Sequence, residues 1–196
     1  MSVFPSSVTD DHQLWRQFRE GDTVALGQLA KKYYQTLFNY ATKFTRDKTL
    51  IEDSIQDIFL KLWEHRNQLS DTLFVKFYLL KTLRHHLFKT HHKHLPISET
   101  MHDWLDLSEG DSAESRIIDE ENWQLTRQQL TSRVADLSKR QQEALYLRYY
   151  ENLTYEQIAQ TMGINSQSVA NLLQNSLKRL RDHWTYLLLI YYSLFM

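Results

Sequence analysis

Five histidines fall within the eleven residues Arg84 to His94, RHHLFKTHHKH, of a chain that has nine in all. Imidazoles this dense could hold a metal, titrate as a cluster, or face a polyanion together with the cations between them. A helical metal site needs ligands one turn apart, with a carboxylate or thiolate to complete the set. The tract has no His pair at i, i+4; His85 and His92 share a face only at a seven-residue separation, and no acid lies between Thr72 and Ser98. Cysteine is absent, which removes thiolate ligands and disulfides. Adventitious chelation by His91, His92 and His94 is what any His-rich tract offers. Neither a functional metal site nor a cofactor is expected.

A second constellation lies in residues 153–181, LTYEQIAQTMGINSQSVANLLQNSLKRLR. A helix from about Thr154 would bury Ile158, Ala159 and Met162. Gly163 stands where a tight turn between crossed helices needs positive φ. Asn165 or Ser166 can cap the next helix by accepting from its unsatisfied N–H groups. In that helix Val169, Leu172, Leu173, Leu177 and Leu180 form an apolar face at helical spacing, opposite Gln167, Asn171, Gln174, Lys178 and Arg181. Short amides lead and cations follow, the order expected of a helix that reads base edges and then neutralises phosphates. The small Ala159, the Gly four residues on and Val169 six beyond it match a helix-turn-helix. The same spacing also fits a plain αα-hairpin, but that does not account for a polar face without acids.

These groups must be positioned by helices. Four Gly and two Pro in 196 residues are too few for the turns of a sheet-rich chain, and the common residues are good helix formers. The expectation is an all-α chain of two small helical domains, joined by an acidic linker, with the helix-turn-helix in the second. Periodicity over 10–94, broken near Gly21-Asp22, Arg46-Asp47 and Leu69 to Thr72, predicts about four helices. Residues 95–113 read as the linker, 114–184 as the second domain and 185–196 as an apolar tail. Although the net charge is −1, it is unevenly spread. Residues 72–98 carry five Lys or Arg and no acid, 99–121 carry nine acids against Arg116, and 157–181 again carry none. Two basic patches separated by an acidic tether suit a partner that is itself a long polyanion. No signal-peptide pattern opens the chain, and its longest apolar run is too short to span a bilayer, so a cytoplasmic location without stable membrane insertion is expected.

The segment 51–69, IEDSIQDIFLKLWEHRNQL, carries Ile51, Ile55, Ile58, Phe59 and Leu62 as a core stripe. Its other side holds Asp53, Gln56, Asp57, Leu60, Trp63 and Glu64. Leu60 and Trp63 framed by carboxylates fit a protein-docking surface, and they fit equally a wide stripe that buries both.

DSIQDIFLKLWEHR is similar to the polymerase-binding helix in region 2 of bacterial sigma factors, and residues 137–181 resemble region 4. With two such regions and a short linker, the chain resembles the extracytoplasmic-function (ECF) sigma factors, particularly the Bacteroidetes type, over about residues 12–184. The resemblance implies a non-enzymatic transcription factor that binds core RNA polymerase and directs initiation at promoters. Asp53, Gln56, Asp57, Leu60 and Trp63 would dock on the clamp helices of the largest subunit. A helix over about Phe74 to His94 would capture the −10 element, through Lys76, Tyr78, Lys81, Arg84, His85, His86 and Lys89. The second helix of the helix-turn-helix would enter the major groove at the −35 element, through Ser166, Gln167, Ser168, Asn171, Gln174 and Lys178. The flank of region 4 would pack on the polymerase flap, the acidic linker would thread towards the active site, and an anti-sigma partner would restrain the free protein. Where the family commonly has Arg-Asn and a second Asn four residues on, this chain has Arg84, His85 and Lys89, so the −10 preference transfers less well than the fold.

Two further expectations remain. The tail, HWTYLLLIYYSLFM, is expected to pack within the molecule, ahead of dimerisation or membrane association. The competing reading of the whole is a conventional helix-turn-helix regulator that binds duplex DNA as a dimer without being a polymerase subunit. It leaves the 51–69 face and the basic helix after it unexplained.

Overall fold

The computed structural model describes the backbone of residues 6–90 and 131–195, and the side-chain surroundings of residues 10–89 and 131–181. The expected linker, His91 to His94, the start of the second domain before residue 131, and the side chains of the tail lie outside the described residues. Every described regular element is helical. The chain divides into two compact units, one containing the first four helices together with residues 160–162 and the other the rest of the later helices.

In the first unit, α1 (Ser6–Arg19), α2 (Thr23–Ala41), α3 (Lys48–Glu64) and α4 (Val75–Thr90) follow one another, with a short 3-10 turn at Arg66–Gln68. The boundaries have local causes. Gly21 adopts φ +99, a conformation that disfavours a side chain, and ends α1. Asp22 Oδ1 accepts from the N–H groups of Val24 (2.7 Å) and Ala25 (3.2 Å) and starts α2. Asp47 does the same for α3 through Leu50 N–H at 3.1 Å. Caps of this kind are worth about 1 kcal/mol each. α2 packs against α1, α3 and α4. Between them are buried Trp15, Phe18, Leu29, Leu37, Tyr40, Ile51, Ile58, Leu79, Leu80, Leu83 and Leu87, each contributing roughly 1.5–3 kcal/mol by burial. Trp15 is pinned at its polar end, its Nε1–H donating to the carbonyl of Ser70 at 3.2 Å. The buried Asp11 accepts from the Tyr33 hydroxyl and pairs with Lys32.

The second unit begins, among the described residues, with helical residues 131–135. Then come α5 (Lys139–Leu145), which runs into a π turn at Tyr146–Tyr150, α6 (Tyr155–Met162) and α7 (Ser166–Phe195). α5 and α6 each start with a reciprocal capping box, Ser138 with Gln141 and Thr154 with Gln157. The buried Gln142 amide closes the preceding turn, its Nε2 donating to the carbonyls of Val134, Ala135 and Leu137 at 2.7–3.1 Å.

One sequence expectation is corrected here. Leu177 does not join the apolar seam of α7: it is 44 % exposed, whereas Val169, Leu173 and Ser176 are buried. The seam follows i, i+4, i+7, and Ser176 satisfies its own hydroxyl by donating to the Leu172 carbonyl at 2.6 Å. α7 is continuous over its 30 residues, and no Gly or Pro between Ser166 and Phe195 supplies a break.

Candidate nucleic-acid interface

The α6–α7 pair has the geometry of a helix-turn-helix. Gly163 ends α6 at φ +65, ψ +41, the left-handed conformation that a turn between crossed helices uses. Asn165 Oδ1 accepts from the Ser168 N–H at 2.7 Å, so Asn165, not Ser166, caps α7. Ile158, Ala159, Met162 and Val169 are buried. Gln167, Asn171, Gln174 and Lys178 are all exposed and recur at i, i+4, i+7 and i+11, one stripe along the helix. Gln167 Nε2 donates to Asn171 Oδ1 at 3.1 Å, holding the two amides in one orientation. Ser166 and Ser168 are half-buried at the edge of this stripe. Exposed Arg181 continues it.

The turn before α6 carries residues that the spacing of the sequence did not single out. Tyr149 and Tyr150 are exposed at 59 % and 43 %. Arg148 donates to the Leu153 carbonyl at 2.9 Å and lies 5.2 Å from the Tyr155 ring, fixing the loop into α6. The sequence signal was the paired Tyr just before a Thr cap.

On α4 the structure divides the expected basic set. Tyr78, Thr82, His85 and Lys89 line one groove of about 660 Å³ against α3, where Lys61, Glu64 and His65 join them. One helical position round, Phe77, Lys81, Arg84 and Phe88 form a second stripe, with Lys81 5.7 Å from the Phe77 ring and Arg84 4.6 Å from that of Phe88. Each cation is thus held over an aromatic face by a cation–π contact. Lys76 is half-buried in the first turn, on the side of the buried Leu80 and Leu83. Burial raises the Tyr78 phenol pKa, the Thr82 hydrogen bond opposing it.

His86 is the correction within this set. It is 8 % exposed and turned towards α3 instead of outward. Its Nδ1 lies 3.3 Å from Lys61 Nζ and its Nε2 3.5 Å from Asp57 Oδ2. An ammonium only donates, so Nδ1 accepts and the ring proton belongs on Nε2, facing Asp57. His86 therefore ties α4 to α3, and His85 is the exposed member of the pair.

Asp53, Gln56 and Leu60 are exposed on α3, Leu60 at 52 %. Trp63, exposed in one reading of the sequence and buried in the other, is half-buried. The Arg66 guanidinium lies 4.4 Å from its ring centre, and Phe18 packs at 6.4 Å. Ile55, Phe59, Leu60 and Trp63 form one wall of an open apolar groove of about 910 Å³, and Leu26, Ala30 and Tyr34 of α2 form the other. Leu60 projects, while Trp63 divides its surface between core and groove. The opposite wall was visible as Leu26, Ala30 and Tyr34, a second stripe one residue beyond the buried Ala25, Leu29 and Tyr33.

With this geometry in place, the comparisons with known proteins fall into line. Residues 29–94 match the Sigma-70 region 2 family, and residues 127–180 match Sigma-70, region 4. The chain is 23 % identical over 178 residues to an ECF RNA polymerase sigma factor SigK of Mycobacterium sp. (strain JLS), covering 91 % of this chain and 92 % of that one. It is 22 % identical over 165 residues to RNA polymerase sigma factor YlaC of Bacillus subtilis (strain 168), covering 82 % and 92 %. Its fold is similar to that of CnrH, solved in complex with the cytosolic domain of CnrY, with a TM-score of 0.59 at 15 % identity over 90 % of this chain and 97 % of CnrH.

Proposed function

This chain belongs to the sigma-70 family as an ECF sigma factor that directs promoter-specific transcription initiation, and from that premise we propose which of its residues perform each step. Asp53, Gln56, Asp57, Leu60 and Trp63 dock on the clamp helices of the polymerase's largest subunit. Gln56, Leu60 and Trp63 line the groove shared with α2, whose lining is mainly apolar with Lys31 and Glu52 as its charges, and Asp53 and Asp57 are exposed on the same helix; the set suits a helix presenting aliphatic side chains and cations. Tyr78, Lys81, Arg84, His85 and Lys89 receive the −10 element. Opening a duplex leaves unstacked bases and displaced phosphates, and a helix with aromatics, imidazole and cations but no acid accommodates both. His86 is a positioning residue here, and Lys76 contributes charge at the first turn. Gln167, Asn171, Gln174 and Lys178, flanked by Ser166 and Ser168, read the −35 element in the major groove. The exposed Tyr149 and Tyr150 are proposed for the polymerase flap. The chemistry of RNA synthesis stays with the polymerase.

A restraining anti-sigma partner is part of this reading. It is supported by the fold shared with CnrH, whose structure holds the cytosolic domain of CnrY. No helix among the described residues is long and apolar enough to cross a membrane, and the proposed place of action is the cytoplasm, beside the polymerase. The domain limits read from the sequence, 10–94, 95–113, 114–184 and 185–196, are kept as proposals.

The observation that carries the assignment of parts is the exposed Asp57–Leu60 edge on the same unit as the acid-free α4. A helix-turn-helix regulator needs neither. The test is core-polymerase binding followed by fluorescence anisotropy of the labelled protein. Asp57→Lys is expected to weaken binding at least tenfold, while Gln167→Ala leaves it unchanged and lowers promoter affinity. Equal core binding by wild type and Asp57→Lys sinks the docking assignment.

A further inference from the structure

Away from both α4 stripes, the first unit contains a polar cavity of about 420 Å³ lined by Arg16, Arg19, Glu20, Arg66, Asn67 and Asp71. We propose that this cavity is a phosphate-binding site, filled in the working protein by a phosphodiester of single-stranded promoter DNA. The phosphate chemistry stands on the cavity alone; its DNA source rests on the function proposed above.

Three guanidiniums from two elements converge on the space. Cations near the end of α1 complement the helix dipole, which accounts for Arg16 and Arg19 but not for Arg66, which belongs to the turn after α3. Arg66 is held before any ligand arrives: its Nη1 donates to the Trp63 carbonyl at 2.8 Å, and its plane lies over the Trp63 ring. Gly21, at φ +99, turns the chain beside it, and a Cβ there would meet Arg66 Nε in ordinary van der Waals contact at 3.9 Å. Arg19 Nε is buried without a hydrogen-bond partner. A buried orphan donor is costly to leave unmade, and a phosphate oxygen satisfies it once the Arg19 side chain turns Nε, which has no exposed surface here, towards the cavity.

The carboxylates in the cavity do not fill that role. Asp71 is bound to His12 at 3.0 Å and reaches Arg19 only through Nη1, at 3.7 Å. Three Arg against Glu20 and Asp71 leave one positive charge, the complement of one phosphodiester. Guanidiniums bind phosphate through paired N–H groups, which gives a held fork of this kind its selectivity for oxyanions. Arg16, Arg19 and Glu20 precede residue 29, where the match to region 2 begins, whereas Arg66, Asn67 and Asp71 lie within it.

The test has two arms on the full chain. In the first, thermal unfolding of the free protein is followed in inorganic phosphate and in chloride at matched ionic strength. Phosphate is expected to raise the midpoint for wild type, to have no effect on Arg16→Ala, and to act at lower concentration on Asp71→Asn, which loses the competing carboxylate. Arg16 is exposed, so its truncation leaves the packing intact, and the opposite sign of the Asp71 variant separates a site from general destabilisation. In the second arm, the holoenzyme reconstituted with core polymerase binds a labelled single strand carrying the −10 sequence. Arg16→Ala is expected to weaken binding several-fold and to reduce the salt slope by about 0.7, the loss of one phosphate contact. A response in the first arm alone keeps the phosphate site and overturns its DNA source. No response in either arm overturns the proposal. Lys81→Ala with Lys89→Ala is the control: if it too leaves strand binding unchanged, the α4 assignment fails instead.

Discussion

Tyr146 and Glu151 show how a charge is kept inside the second unit. Both are 4 % exposed, and the Tyr146 hydroxyl donates to Glu151 Oε1 at 2.9 Å. Burial first, then the Glu151 carboxylate, hold the phenol pKa far above its ordinary 10.0, so the hydroxyl remains a donor at any working pH. Tyr146→Phe keeps the ring stacked on Tyr150 but removes that donor from a buried acid. It is expected to lower the stability of the unit by about 1–3 kcal/mol in urea unfolding, and an unchanged midpoint would show the bond to be worthless. Asp71 gives a pH-dependent counterpart. The hydrogen bond from His12, opposed by partial desolvation and helped by the charges of His12 and Arg19, lowers its pKa below 3.8. A carboxyl lowered in the folded state contributes stability above its unfolded value and loses it as pH falls through the folded value. Asp71→Asn is therefore expected to flatten the decline of the melting temperature below pH 3.8, leaving the slope near neutrality alone; identical acid limbs for both proteins would count against this pairing.

At the scale of elements, the turn between α6 and α7 depends on one backbone conformation. A Cβ on Gly163 would meet nothing within 4 Å, so Gly163→Ala costs only the left-handed strain, about 1–2 kcal/mol, and Gly163→Asn less. Chemical denaturation of the three proteins checks that order, and an alanine variant as stable as wild type would contradict it. This turn was legible in the sequence because small residue, Gly and β-branched residue must coincide at fixed spacing. The core face of α3 was legible for the same reason, as Ile51, Ile55, Ile58, Phe59 and Leu62 are all buried. His86 was read onto the wrong side because a run of basic residues hides which of them faces a neighbouring helix. The clue was its position seven residues after buried Leu79, on the same angular side. Leu177 was misplaced because apolar spacing continues along α7 beyond Ser176, the last buried position of the seam among the described residues. The arginine cavity could not be read at all, since Arg16 and Arg66 are brought together only by the packing of α1 beside the turn after α3.

For the whole molecule, the two units make different demands on one partner chain. The first offers an apolar groove and an acid-free helix; the second offers an amide stripe that ends in cations. Affinity for DNA is expected to reside largely in the phosphate contacts, and specificity in Gln167 and Asn171. A lone DNA-binding regulator could use the second unit, but would leave the groove of the first unused. The measurement that separates these most directly is run-off transcription from a promoter selected by the protein, with core polymerase supplied and no other sigma factor present. The account predicts a transcript of defined length only when core and this protein are together, and its loss with Asp57→Lys. A protein that binds the promoter duplex unaided as a dimer, and adds no transcript to core polymerase, would contradict it.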